Sequence, residues 1–320
     1  MIEVENLSKY YDERAAISDL SFTIQRGEVI GFLGLNGAGK STTLRILGCV
    51  LLPTSGSVRI DGKDLSSEPH EIRKHIGFLP DTPPLYGEMT VGDYLAFCAR
   101  LRGVGDERIA AYVADAEEKT ALRDAHEVVI DSLSHGFRQR VGVAQAIVHK
   151  PGLLILDEPT SGLDPVQIVQ MRELILSLKG QHTILLSSHI LSEIAQTCDR
   201  MLVIHDGKLV AQGSEEELSS ISSRLGVVEL EVSGVGERGL GDRVIAALKG
   251  LPDVKDARVT KESSGHASLT LDARHSARPQ IVRALVAANI DVMRIDQGAL
   301  ELESIFLRLT RGAGTEGDRA

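Results

Sequence analysis

Residues 34–41 read Gly-Leu-Asn-Gly-Ala-Gly-Lys-Ser, which satisfies G-x-x-x-x-G-K-[ST] at every fixed position. The pattern constrains the fold tightly because it works in one setting, between a buried strand and a helix. Both flanks are present. Glu28-Val29-Ile30-Gly31-Phe32-Leu33 is a short apolar run of strand type, and Thr42-Thr43-Leu44-Arg45-Ile46-Leu47 reads as a helix. Gly34, Gly37 and Gly39 let the backbone turn its N–H groups toward an anion, while the helix start adds partial positive charge. A chance glycine-rich turn would lack these flanks. The stretch therefore predicts a nucleotide-phosphate site, with Lys40 reaching the β and γ phosphates and the Ser41 hydroxyl on Mg²⁺.

A chain of 320 residues has room for one large domain and a smaller one, each with its own core. No apolar run approaches the roughly 20 residues of a membrane helix, and Met1-Ile2-Glu3-Val4-Glu5 lacks a basic leader, so the expected location is the cytoplasm. Cys49, Cys98 and Cys198 lie in apolar or helical stretches without C-x-x-C spacing, which predicts buried, reduced thiols. The formal net charge of −10 opposes a polyanion and disfavours nucleic acid as a partner.

In chain order, Ile2 to Leu7 and Ala16 to Ile24 alternate apolar and polar residues and predict a small antiparallel sheet, with Tyr10-Tyr11-Asp12-Glu13 as the loop between them. Tyr11 in that loop has two readings, a ring stacked on adenine or a half-buried tyrosine at a strand end. Ser57 to Ile60 followed by Asp61-Gly62 reads as a hairpin strand and its turn. Ile76 to Asp81 is a strand entering a proline-rich loop, and from about residue 83 to 150 the spacing turns helical. Within that region Ser134 is placed to cap a helix running to Lys150, leaving N–H groups free for an anion.

Leu153-Leu154-Ile155-Leu156 is fully apolar and ends in Asp157-Glu158, the form of a parallel strand buried on both faces. Carboxylates at the C-terminal end of such a strand sit where α/β sheets hold ligands. Alternation along a strand turns the two side chains opposite ways, so Asp157 is assigned to the Mg²⁺ shell and Glu158 to the attacking water as general base. Thr183 to Ser187 is a further apolar strand, ending at Ser188-His189; read alone, a histidine there is more often structural. Met201 to Ile204, the Asp206-Gly207 turn and Lys208 to Ala211 form a last hairpin, and Ser214 with Glu217 makes a capping box.

Ser219 to Gly226 is serine-rich with a glycine end and marks a boundary. Beyond it come a strand at 227–232, a helix at 243–251, strands at 257–261 and 267–271, a helix at 278–288, a strand at 292–295 and a helix at 302–309. The order strand-helix-strand-strand-helix-strand predicts a ferredoxin-like α+β domain over 227–310. The last ten residues, 311–320, read as a disordered tail.

With these residues in place, the chain from about residue 2 to 218 resembles the nucleotide-binding subunit of an ATP-binding-cassette (ABC) transporter. The resemblance implies an α/β P-loop NTPase cassette, with a RecA-like core, an antiparallel β subdomain and a helical subdomain, over residues 1–218. Carried over residue by residue, Tyr11 resembles the adenine-stacking aromatic. Gly34, Asn36, Gly37, Ala38, Gly39, Lys40, Ser41 and Thr42 resemble the phosphate-binding Walker A loop. Leu133 to Phe137, with Ser134 and Gly136 as its contacts, resembles the signature loop. Leu153 to Glu158 resembles Walker B, Ser161 to Asp164 the D-loop, and His189 the switch histidine that senses the γ-phosphate.

Two motifs depart from the family pattern. His135-Gly136-Phe137 stands where many members carry Gly-Gly-Gln, and Asp81 stands where most carry a glutamine that contacts Mg²⁺ and the water. A carboxylate still ligates Mg²⁺ but donates no hydrogen bond. The stretches Gly136 to Arg140 and Leu79 to Tyr86 resemble the exporter group whose ATPase is a separate polypeptide.

The resemblance implies an ATPase that uses ATP and Mg²⁺, with catalytic Glu158, His189 and Lys40 and a metal site at Ser41, Asp157 and Asp81. ATP would be sandwiched between the phosphate loop of one subunit and the signature loop of another. The implied partners are a second copy or a homologous ATPase subunit, and an integral membrane permease gripped by the helical lobe, with no nucleic acid. The chain would then sit on the inner face of the cell membrane. The alternative is a soluble ABC-type ATPase acting on ribosomes or nucleic acid; it usually carries two cassettes, a long coiled-coil insertion or basic arms, and none is visible.

Overall fold

The computed structural model describes residues 1–218, 227–234, 239–263, 265–273 and 275–297. It divides into two units, residues 1–214 and the chain from 215 onward. The expected linker at 219–226, the helix at 302–309 and the tail at 311–320 lie outside the described residues.

The first unit holds two sheets. One is antiparallel, in the order β2-β1-β4-β5, from β1 (Ile2–Tyr11), β2 (Arg14–Ile24), β4 (Ser55–Ile60) and β5 (Lys63–Asp64). On β1 the buried side chains are Ile2 and Val4, then Leu7 and Ser8. The change of phase follows from register shifts after Val4 and a left-handed Asn6 at φ 49°, which insert a bulge and re-aim the strand. Tyr11 differs from its expected place in a polar loop. It is the last residue of β1, opposite Arg14, because the reversal needs only Asp12-Glu13, with Asp12 at φ 51°.

The second sheet has the order β10-β9-β3-β8-β7-β6. Its strands are β3 (Val29–Leu33), β6 (Ile76–Leu79), β7 (Leu153–Asp157), β8 (Thr183–Ser188), β9 (Arg200–His205) and β10 (Lys208–Gly213). All pair in parallel except the β9–β10 hairpin. Every residue of β3, β7 and β8 is buried, which explains why these strands read as continuous apolar runs. Four loops leave the C-terminal ends of β3, β6, β7 and β8. They lead to the phosphate loop, Asp81, Glu158 and His189, so the sheet itself gathers the site.

Helix α1 (Lys40–Leu47) follows β3, and the short α2 (Pro69–Arg73) precedes β6. Between β6 and β7 the chain forms α3 (Val91–Leu101), α4 (Asp106–Lys119) and α5 (His135–Ile147). On α3 the buried side chains Val91, Tyr94, Leu95, Cys98 and Ala99 keep helical spacing, and Thr90 caps the helix by accepting from Asp93 N. Helices α6 (Pro165–Leu178) and α7 (Leu191–Thr197) follow β7 and β8.

The second unit runs β11 (Val227–Ser233), α8 (Leu240–Leu248), β12 (Val254–Ser263), β13 (His266–Ala273), α9 (Arg278–Ala287) and β14 (Asp291–Gln297). Its sheet order is β12-β13-β11-β14 with every pair antiparallel, which is the ferredoxin-like arrangement. Val228, Leu230, Val232, Leu269 and Leu271 from the sheet share one core with Val244, Leu248, Ile281 and Leu285 from the helices. The helices therefore cover one face of the sheet.

Candidate active site

The loop between β3 and α1 is shaped by Gly37 and Gly39, at φ 82° and 107°. At Gly39 a side chain is also excluded by space, since a Cβ would lie 2.7 Å from the Ala16 carbonyl oxygen. Thr43 N donates to Gly39 O in the first turn of α1, so the N–H groups of Lys40, Ser41 and Thr42 precede the helical ladder and face outward as an anion site. These residues line a cavity of about 360 Å³ with Leu35, Asn36, Gly37, Gly39 and Ala16 on one side. Asp81, Glu158, Ser161 and His189 line the other.

The charged groups of the cavity meet directly. Lys40 is buried; its Nζ donates to Gly34 O at 2.7 Å and lies 3.4 Å from Glu158 Oε1. The other carboxylate oxygen of Glu158, Oε2, is 3.0 Å from His189 Nδ1. Lys40, Glu158 and His189 come from three separate segments, and the sheet brings them together as expected.

Asp157 ends β7 fully buried. Its Oδ1 accepts from Ser41 Oγ at 3.0 Å and from Ser187 Oγ at 2.7 Å, while its Oδ2 is buried with no hydrogen-bond partner among the described residues. Burial pushes this carboxyl up; the Ser187 and Ser41 bonds pull it down, and the charges of Asp81 and Glu158 push it up again. The unpartnered Oδ2 beside a helix-start hydroxyl, with Asp81 lining the cavity that Ser41 lines, fits Mg²⁺, and Ser41, Asp157 and Asp81 are the residues that would hold it. No cluster of three or more histidine, cysteine or acidic side chains is found among the described residues. Mg²⁺ usually binds through one or two carboxylates and takes its remaining ligands from water and phosphate.

Glu158 reaches the cavity by a route that strand alternation does not give. It lies past the end of β7 with φ 51°, and Glu158 N donates to Ser187 Oγ at 2.9 Å. The left-handed turn, rather than the pleat, separates its side chain from that of Asp157.

Of the residues expected to contact nucleotide, Tyr11, Gly34, Ala38, Ser134 and Gly136 are not among those lining this cavity. Tyr11 is exposed, with Lys9 Nζ 5.5 Å from its ring centroid. Ser134 caps α5 by accepting from Phe137 N, and Gly136 packs against Gln167, where a Cβ would lie 2.7 Å from the carboxamide carbon. His135 is 3.1 Å from the Ser161 carbonyl oxygen, linking the start of α5 to the loop after Glu158.

Sequence reasoning missed Ser187, which bonds both Asp157 and Glu158, and Glu193, which bonds Thr160 and Ser188. Serines ending a strand that abuts β7 are a signal for the first. For Glu193 no local pattern gives one.

A parallel sheet with a phosphate loop, a buried aspartate at the neighbouring strand end and a glutamate held beside lysine and histidine defines a P-loop nucleotide hydrolase. Residues 17–161 match the family described as ABC transporter. Over 319 residues the chain is 32% identical to the bacitracin transport ATP-binding protein BcrA of Bacillus licheniformis, covering 99% of each chain. It is 33% identical to the daunorubicin/doxorubicin resistance ATP-binding protein DrrA of Streptomyces peucetius, over 97% of this chain and 92% of that one. The solved structure of cbiO1 from Clostridium perfringens, part of the ABC transporter complex cbiONQ, superposes with a TM-score of 0.63 at 30% identity over 69% of this chain and 91% of that one.

The chain belongs to the ATP-binding subunits of ABC transporters. It is an ATPase of the exporter type, and cassettes of this family dimerise and pair with membrane permease components. Among the described residues no helix is long and apolar enough to cross a membrane.

Proposed function

We propose that the chain drives export of an antibiotic-like molecule, a cyclic peptide or an amphiphilic aromatic, by closing as a pair of copies on ATP and reopening after hydrolysis. The similarity to the bacitracin transport and daunorubicin/doxorubicin resistance proteins carries this reading, because it runs end to end and includes the second unit. Lys40 and the N–H groups at the start of α1 hold the phosphates. Glu158 takes the proton of the attacking water, and His189, 3.0 Å from it, senses the γ-phosphate. Ser41, Asp157 and Asp81 would hold Mg²⁺, which would neutralise charge on the phosphate oxygens.

Ser134 and Gly136 lie outside the cavity of their own chain, which supports their use in the site of a second copy. The net charge of −10 and the exporter kinship disfavour nucleic acid. The permease holds the chain at the inner face of the cell membrane.

The test is ATP hydrolysis by the chain reconstituted with its co-purifying permease in proteoliposomes. The rate should rise several-fold when a cyclic peptide antibiotic or an anthracycline is added. Hydrolysis indifferent to both compounds would overturn the cargo class, and hydrolysis indifferent to the permease would overturn the coupling.

A further inference from the structure

We infer that Glu193 is a positioning residue that fixes the approach of Glu158 to His189. The residue sits one turn beyond His189 on α7, with only 8% of its surface exposed. A single carboxylate oxygen, Oε2, accepts from Thr160 Oγ1 at 2.6 Å and from Ser188 Oγ at 3.1 Å. Thr160 lies two positions after Glu158, and Ser188 lies immediately before His189. One buried oxygen thus staples together the two loops whose tips carry Glu158 and His189, the pair proposed above as catalytic, on which reading this inference rests.

The loops need such a staple. Glu158 is held at φ 51°, a left-handed conformation that a non-glycine residue keeps only when its surroundings impose it. On one side the Ser187 hydroxyl, itself bonded to Asp157, accepts from Glu158 N. On the other, Ser161 N donates to Glu158 O, closing a turn whose next anchor is the Thr160 hydroxyl on Glu193. The His189 side is fixed likewise: Ser188 Oγ gives its one proton to Glu193 and accepts from Ile190 N at 3.0 Å.

An acceptor-only group suits the position. Both partners are hydroxyls with a single proton each, and a carboxylate forces both protons inward while leaving the Ser188 lone pair for Ile190 N. Because one oxygen makes both bonds, a carboxamide oxygen can replace it. The function assigned to Glu193 is therefore geometric and does not depend on its charge.

The experiment is steady-state Mg-ATP hydrolysis by the full-length chain carrying Glu193→Ala or Glu193→Gln, with binding of a fluorescent ATP analogue measured in parallel. Loss of the staple should lower kcat by about tenfold or more, as misplacing catalytic groups does, while KM and analogue affinity stay within about twofold of wild type. Glu193→Gln should restore most of kcat. Thr160→Val, which removes one of the two bonds without touching α7, should lower kcat in the same direction and add nothing to Glu193→Ala; this variant carries the test if Glu193→Ala does not fold. Wild-type kcat in both Glu193→Ala and Thr160→Val would overturn the inference. So would a Glu193→Gln variant as slow as Glu193→Ala, since charge would then be the acting property, or a rise in KM at unchanged kcat.

Discussion

Ser41 Oγ donates to Asp157 Oδ1 at 3.0 Å, joining the first turn of α1 to the last residue of β7 across 116 positions of chain. The bond sets a hydroxyl of the cavity wall against a buried carboxylate with one unpartnered oxygen, and Asp81 lines the same cavity as Ser41. On the proposed reading, Mg²⁺ would be held by the ends of three neighbouring elements, and this can be tested.

Divalent-ion affinity should follow from this arrangement. Asp157→Asn keeps the shape but removes the charge, and in the presence of ATP it should weaken Mn²⁺ binding, read by electron paramagnetic resonance, by about tenfold, or ~1.4 kcal/mol. Asp81→Ala should act in the same direction with a smaller effect. Unchanged Mn²⁺ affinity in both variants would remove the metal from these residues.

The parts of the site that were legible in the sequence are those whose chemistry is local. Gly34 to Ser41 and the run Leu153 to Asp157 each show their type in adjacent residues, so pattern and flank suffice, although the bond between Ser41 and Asp157 spans 116 positions. Glu158 was legible as a residue but not as a geometry, since its left-handed turn depends on Ser187 from another strand. Glu193 was invisible because its partner Thr160 lies 33 positions away and nothing in its own helix sets it apart. Tyr11 was misplaced into a loop because strand and turn residues look alike where a two-residue reversal at Asp12 extends the ladder. In the second unit the order of elements was legible because alternation and helical spacing are local, and that order suggested the ferredoxin-like arrangement.

Tyr11 tests the nucleotide-base reading. Its ring is 49% exposed at the end of β1 and outside the phosphate cavity, so a stacking role rests on the ring face alone. Tyr11→Ala should weaken ATP binding in an equilibrium titration by roughly 1–3 kcal/mol, and Tyr11→Phe should bind as wild type. Equal affinity for all three chains would leave Tyr11 as a strand-end residue.

Acid should destabilise the first unit through His149. Burial, aided by the Arg102 charge, pushes this imidazole down to about 4 from the ordinary 6.5. A depressed histidine is neutral in the folded chain and takes up a proton on unfolding. Its stabilising contribution is therefore complete above about pH 6.5 and lost as pH falls toward 4. Thermal melts between pH 7.5 and 4.5 should show a falling midpoint, and His149→Gln should flatten that fall even if its neutral-pH midpoint is lower. A slope identical to wild type would assign the acid sensitivity elsewhere.

The central claim is that the site is completed by a second copy, and the mass of the Glu158→Gln chain tests it most directly. Light scattering should give 34.5 kDa without nucleotide and about twice that in Mg-ATP, where the closed pair is trapped because the general base is gone. Adding Ser134→Glu to the same chain should return the mass to 34.5 kDa, because a carboxylate would replace the helix cap proposed to meet the partner's ATP. A Glu158→Gln chain that stays at 34.5 kDa in saturating Mg-ATP would contradict the account.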